Sequence, residues 1–236
     1  MSAPPVRLAI AIPHRNGECH ICVVRTLSSS DMRGLQVSIV DNSTTSIVEN
    51  RNVLVQKFLD LPTKPTHLFF LDTDVSVPPD GIKKLLAADK PIVTGVYVDK
   101  KEMVFVVRKR LDRYHYVPVQ QEWSKYPKPG TGPHWIVKDE LRDKVLPCDA
   151  AGAGCLMIRR EVFEQMPYPW FFEDFNPDVR GHSRESMVSE DFSFFWKAND
   201  LGIPSFVHTG VLCGHWFGTM VFPPSWREED LRPPGG

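Results

Sequence analysis

Two aspartates one residue apart, Asp72 and Asp74, follow directly on the apolar run Leu68-Phe69-Phe70-Leu71. Spacing of i, i+2 lets both side chains address one side of an extended chain. Two carboxylates held close in a cleft repel each other, and a divalent cation resolves that repulsion. An aspartate-rich turn leading into the next helix is the structural alternative, since Asp favours turns. Far along the chain, His215 lies in Leu212-Cys213-Gly214-His215-Trp216-Phe217-Gly218. It is either a packed imidazole or a third ligand beside Asp72 and Asp74, and a mixed carboxylate–imidazole set suits manganese, with magnesium as the other choice. Arg51 follows Ile47 by four residues and precedes Leu54 by three, so it falls on the apolar face of a helix. Its guanidinium either snorkels to the rim or aims a planar fork at a nucleotide diphosphate. Asn52 sits beside it. Ser189-Glu190-Asp191 opens another helix, where carboxylates favour the positive end of the dipole; one of them could equally be a general base. The small residues Asp149-Ala150-Ala151-Gly152-Ala153-Gly154 read as a tight turn or a place where backbone approaches a ligand closely. Cys19 and Cys22 have CxxC spacing, but no second pair completes a four-ligand zinc site.

The elements that must position these groups follow from apolar runs and their punctuation. Residues 6–12, 35–40, 67–71 and 91–98 read as strands, and residues 46–59 and 81–88 as the helices between them. Strands alternating with helices at this spacing indicate a mostly parallel sheet with crossover helices. In such sheets ligands bind beyond the carboxyl ends of the strands, which is where Asp72 and Asp74 fall. After residue 98 the rhythm changes to short β segments, at residues 103–108, 114–119 and 134–137, between Pro- and Gly-rich loops. Residues 155–159 resume an apolar strand, 161–165 a short helix, 189–201 an aromatic helix and 211–213 a last strand. Residues 172–186 are polar, with Gly181 and few aliphatic side chains, and read as a loop that orders over a bound donor. The tail from residue 223 is Pro-rich and reads as surface-bound or frayed.

The 236 residues suffice for one sizeable domain, and 42% hydrophobic with 24% charged residues is ordinary for a globular chain. A net charge of −1 argues against a general nucleic-acid binder, although Lys100, Lys101 and residues 108–113 form a local basic cluster. No apolar run is long enough for a membrane span, and the first residues lack a charged segment followed by an apolar one. Five scattered cysteines, an odd number, argue for a reducing compartment. A cytoplasmic location is expected, in the host cytoplasm if the gene is carried by a phage. Residues 1–236 are expected to form a single α/β domain: a nucleotide-binding half to about residue 98, an acceptor and metal-completing half from 99 to 222, and a tail.

These features occur in a recognisable order. Strand 6–12 with Pro13, Val40-Asp41-Asn42-Ser43, Glu49-Asn50-Arg51-Asn52, the Asp72/Asp74 stretch, residues 152–159, Ser189-Glu190-Asp191 and Cys213-Gly214-His215 together resemble the GT-A glycosyltransferases, particularly small family-2-like enzymes of phages and bacteria. The resemblance spans about residues 6–218; residues 99–148 match no motif. It implies a Rossmann-like, mostly parallel sheet flanked by helices, with a small mixed β region on the acceptor side. It further implies that Asp41 contacts the nucleobase, with Pro13, Arg15 and Asn42 in the same region. Arg51, Asn52 and Gly154 would approach the nucleotide sugar. Asp72 would lie near ribose and metal, and Asp74 and His215 would ligate Mn2+ or Mg2+. Asp191 would be the base, with Glu190 beside the acceptor.

The implied activity moves a sugar from a UDP- or GDP-linked donor to a hydroxyl, with inversion if Asp191 is the base; the acceptor and the oligomeric state are not implied. Two rivals stand beside it. A sugar-phosphate nucleotidyltransferase would need a Gly-rich basic phosphate loop near the N-terminus, and Pro13-His14-Arg15-Asn16-Gly17 holds one glycine. A non-catalytic nucleotide-sugar-binding module would have no use for carboxylates at both the metal and the base positions.

Overall fold

The computed structural model describes residues 5–98, 106–111, 116–119, 124–125, 136–137, 139–176, 187–216, 218 and 220–221. The elements run in order β1 (Val6–His14), α1 (Ile21–Ser29), β2 (Leu35–Ser43), α2 (Ile47–Asp60), β3 (His67–Leu71), β4 (Val75–Ser76), α3 (Gly81–Ala87) and β5 (Ile92–Val96). Then come β6 (Arg108–Arg110), β7 (Tyr116–Pro118), β8 (Ser124–Lys125), β9 (Ile136–Val137), a 3-10 turn at Asp139–Leu141, β10 (Val145–Cys148), β11 (Cys155–Arg159) and α4 (Arg160–Gln165). The chain continues with β12 (Asp174–Phe175), β13 (Met187–Val188), α5 (Glu190–Asp200), β14 (Ser205–Leu212), β15 (Gly214–Trp216) and β16 (Met220–Val221).

Seven strands form the central sheet in the order β10-β14-β5-β11-β3-β1-β2. The pairs β1/β2, β1/β3 and β5/β14 are parallel, whereas β11 runs antiparallel between β3 and β5, and β10 antiparallel on the outer edge of β14. The mostly parallel α/β sheet expected from the rhythm of the sequence is therefore present. Leu8, Ile10, Phe69 and Leu71 fill one face of the sheet with Met157 and Val93, and Ala9, Ala11, Leu68 and Phe70 fill the other with Leu156 and Phe194. Strands buried on both faces read as continuous apolar runs, which is why β1, β3 and β11 were visible in the sequence.

Local signals set the helices. Ser46 caps α2 by accepting the Glu49 N–H at 3.2 Å. Helix α5 begins after Ser189, but the Ser189 hydroxyl makes no capping hydrogen bond. Helix α1 is absent from the pattern reading: Ile21-Cys22-Val23-Val24-Arg25-Thr26 is β-branched and weakly helical. It forms because His20 accepts the Cys22 N–H and because Cys22, Val23 and Thr26 bury one stripe. Expected strand 211–213 is the end of the longer β14; Thr209 and Gly210 interrupt its apolar pattern. Strand β10 was also missed. Residues 177–186, most of the expected donor-ordered loop, lie outside the described residues, as do Lys100, Lys101, residues 112–113 and the tail. On either side of residues 177–186, β12 and β13 pair antiparallel. No helix among the described residues is long and apolar enough to cross a membrane.

Candidate active site

The parallel strands β1, β2, β3 and β5 all deliver their carboxyl ends to one edge of the sheet, and the antiparallel β11 delivers its amino end there. Asp72 follows β3 at once, and its N–H donates to the Gly154 carbonyl just before β11, at 3.1 Å. A small separate sheet then brings in the far end of the chain. Strand β15 pairs antiparallel with β4, setting His215 opposite Val75, and the Trp216 N–H donates to the Asp74 carbonyl at 2.8 Å. As a result His215 Nε2 lies 3.5 Å from Asp74 Oδ2. The other ring nitrogen, Nδ1, is 2.8 Å from the Val98 carbonyl, which can only accept, so Nδ1 carries a proton and Nε2 is the nitrogen turned toward Asp74. A histidine oriented in this way by a backbone carbonyl is the usual arrangement of a metal ligand. Among the described residues no three His, Cys, Asp or Glu side chains form a ready metal cage.

Arg51 is the buried centre of the site, with 2% of its side chain exposed. It grips Asp72 with both ends of its fork, Nη1 to Oδ1 and Nη2 to Oδ2, each at 3.1 Å. Its Nε donates to Glu190 Oε1 at 3.3 Å, and Nη2 lies 3.4 Å from Asp191 Oδ1. The rings of Phe70 and Phe171 lie against the guanidinium at 5.3 and 5.9 Å. Burial opposes the charge of Arg51, but Asp72, Asp191 and Glu190 together hold its pKa above the ordinary arginine value. This placement is neither of the two read from the sequence: Arg51 neither snorkels nor reaches into a cleft.

Asp191 lies in the first turn of α5, where the helix dipole favours an ionised carboxylate, yet its surroundings push the other way. Burial first, and then the charge of Glu190, raise its pKa well above the usual carboxylate range; Arg51 and the Ala153 N–H oppose them, and Asp72 adds to the rise. Its buried Oδ1 accepts no hydrogen bond from any described residue. Tyr97, just past β5, donates nothing to these carboxylates; its hydroxyl accepts the Gly154 N–H at 2.9 Å, and its ring meets His215 edge-on at 5.1 Å. A side chain at Gly154 would press on Val75, Tyr97 and Asp72, and one at Gly152 would collide with the Tyr97 hydroxyl. The small residues before β11 thus make room for protein groups.

Two cavities meet at the aspartates. The larger, about 680 Å³, is lined by Pro13, His14, Arg15, Thr44, Asn50, Asp72 and Asp74. The smaller, about 250 Å³, is lined by Asp72, Asp74, Tyr97, Arg108, Asp191 and His215. His14, one of the residues lining the larger cleft, has its Nε2 3.2 Å from Asp41 Oδ2; Asp41 itself is not among the lining residues and is 69% exposed. Asn42 donates to Asn50 Oδ1 and receives Lys57, and Asn50 in turn donates to the His14 carbonyl, so the ends of β1 and β2 are tied to α2. Asn52 is not in the cleft. Its amide donates to the carbonyls of Val48 and Phe171 and accepts the N–H groups of Trp170 and Phe171, which saturates it in clamping that segment. Cys19 and Cys22 hold no paired site: Cys19 is exposed, and Cys22 is buried against the His20 ring at 2.9 Å.

Sequence reasoning missed Tyr97 and His14. Both stand at carboxyl ends of parallel strands, and that position alone could have flagged them.

No family model and no curated protein matches the chain. Among solved structures it is similar to A197 from STIV, with 18% identity over 90% of this chain and 86% of that one and a TM-score of 0.58. It is also similar to GalNAc-T7, solved with UDP, GalNAc and Mn2+, with 14% identity over 92% of this chain and a TM-score of 0.54. This chain spans 45% of that protein. Likeness at these identities is likeness of fold, and the fold is of the GT-A glycosyltransferase kind.

Proposed function

We propose that the chain is a metal-dependent glycosyltransferase that moves a sugar from a nucleoside-diphosphate donor to an acceptor hydroxyl. The observation that carries this reading is the meeting of two cavities at Asp72 and Asp74, with His215 beside Asp74 and Asp191 in the smaller cavity. The larger cleft suits a nucleotide. Pro13 and Arg15 line it, and Asp41, 3.2 Å from the lining His14, would serve as an acceptor for nucleobase N–H groups, which both uracil and guanine offer. Asp72 faces the same cleft and is suited to the ribose or to the metal. The solved relative with UDP, GalNAc and Mn2+ bound is consistent with a donor and an ion of this kind.

Asp74 and His215 fit a manganese or magnesium ion. They offer one carboxylate oxygen and one imidazole nitrogen whose partner nitrogen is fixed by the Val98 carbonyl. The lack of a ready cage fits as well, because such ions are commonly held by one or two side chains together with substrate phosphates. When bound, the ion neutralises charge that develops on the leaving diphosphate. The remaining work falls to the chain. Asp191 takes the proton of the acceptor hydroxyl as it attacks the anomeric carbon, the nucleoside diphosphate leaves from the opposite face, and configuration inverts. Glu190 stands next to Asp191 and shares its guanidinium.

Asp74→Ala tests the metal half of the reading. It is expected to abolish transfer, as chelation of divalent ions does, while leaving the fold intact. Full activity of the variant, or of the wild type in excess chelator, overturns it.

A further inference from the structure

Arg51 directs all three of its guanidinium nitrogens at three carboxylates from two distant parts of the chain. Asp72 comes from the end of β3, on the donor side. Glu190 and Asp191 come from the start of α5, and Asp191 lines the smaller cavity. Between them the guanidinium makes two hydrogen bonds at 3.1 Å, one at 3.3 Å and one ion-pair contact at 3.4 Å. The rings of Phe70 and Phe171 lie near it, and Phe171 is itself held by Asn52 through both its N–H and its carbonyl. Arg51 is among the lining residues of neither the larger nor the smaller cavity.

We infer that Arg51 is a positioning residue that sets the donor-side carboxylate Asp72 and the base Asp191 in fixed relation to each other, and that it does not contact the diphosphate. A guanidinium is planar and rigid, so carboxylates bound to different edges of it are held at a set separation and orientation. The acceptor oxygen must meet the anomeric carbon within a few tenths of an ångström of the right place, and that carbon is placed by the donor while the oxygen is placed by its hydrogen bond to the base. A group bonded to both sides converts two independent placements into one. Misplacement by about 1 Å costs on the order of 10²-fold in rate. Three carboxylates also face one cation here, so the arrangement cannot persist without it: removing one partner from a buried ionic cluster leaves uncompensated charge. Lysine is a poor substitute, because its compact ammonium lacks the planar fork that grips Asp72 with two nitrogens while Nε faces Glu190.

The inference rests on the reading of Asp191 as base, and turnover by the wild type in the same assay tests that reading separately. The experiment measures kcat and donor KM for Arg51→Lys, and for Arg51→Ala with and without methylguanidinium at sub-denaturing concentration. Arg51→Lys is expected to lose about 10²-fold in kcat with donor KM changed less than about threefold. Methylguanidinium is expected to restore part of the kcat of Arg51→Ala without changing its melting temperature, whereas a purely structural role would restore both together. Should the alanine variant fold poorly, Arg51→Gln combined with Glu190→Gln removes one negative charge along with the positive one and is measured instead, with the same loss of kcat expected. A rise in donor KM of tenfold or more with kcat preserved would show direct contact with the donor and overturn the inference. Wild-type kcat in a folded Arg51 variant would overturn it as well.

Discussion

At the scale of single residues, Asp191 is where charge and environment conflict most. Burial and Glu190 raise its pKa above the usual carboxylate range in the folded chain. A carboxyl that titrates higher when folded than when unfolded stabilises the fold in its neutral form: that contribution is complete below the ordinary aspartate range and is lost as pH rises through the raised value. At neutral pH Asp191 therefore works against stability, and Asp191→Asn, which keeps the shape and removes the charge, should melt at the wild-type temperature or above it. The same change should lower turnover by at least about 10²-fold with near-normal donor affinity, since asparagine cannot accept the proton. Thermal melts and donor titration on one purified variant check both halves; near-wild-type turnover would return Asp191 to a helix-end role. A base must be ionised to act, so the acid limb of the kcat profile should fall off at a pH above the ordinary carboxylate range. A profile flat down to pH about 4 would contradict that. The residue types Asp72, Asp74, Asp191 and His215 were legible from sequence because each sits beside a strand or helix boundary. The hub role of Arg51 was not legible, because its three partners are 21, 139 and 140 residues away and periodicity reports only which face of α2 it occupies.

At the scale of elements, the short ladder between β4 and β15 decides where His215 goes, and Tyr97 braces it. Because Val98 orients the imidazole and β15 sets its height beside Asp74, His215→Gln should raise the manganese concentration needed for half-maximal activity by roughly tenfold or more, with little change in melting temperature. Unchanged metal dependence would remove His215 from the ligand set. The turn before β11 offers a second test. A methyl group at Gly152 meets the Tyr97 hydroxyl, so Gly152→Ala should cost about 1–3 kcal/mol in chemical denaturation, as overpacking usually does. Tyr97→Phe should recover part of that loss by removing the clashing oxygen. No recovery would mean that Tyr97 is not what the glycine accommodates. The elements that sequence revealed are those with strong, uniform patterns: β1, β3, β11 and α2 with its Ser46 cap. Helix α1 was hidden because β-branched residues form it against their own preference, stabilised by the burial of Cys22, Val23 and Thr26. Most of β14 was hidden because Thr209-Gly210 breaks its apolar run, and Gly210 is small where Asp143 packs against it.

At the scale of the whole molecule, one edge of the sheet collects everything the chemistry needs. Parallel strands bring their carboxyl ends together, and the antiparallel β11 enters between β3 and β5, with Gly152 of the turn before it lining the smaller cavity. The alternation of strand and helix to residue 98 made that edge foreseeable; the return of β15 to the aspartates, from about 140 residues further on, has no local signal and needed the three-dimensional structure. The larger cleft on that edge has room for a nucleotide, and the aspartates lie where it passes into the smaller cavity. The measurement that tests glycosyl transfer most directly is release of nucleoside diphosphate from a panel of UDP-, GDP- and dTDP-linked sugars, with manganese or with chelator, by the wild type and Asp74→Ala. The expected result is release from at least one UDP- or GDP-linked sugar, dependent on the metal and absent in the variant. Binding of the donors without any turnover would instead indicate a binding module, and formation of pyrophosphate from a nucleoside triphosphate and a sugar 1-phosphate would indicate a nucleotidyltransferase; either result contradicts glycosyl transfer.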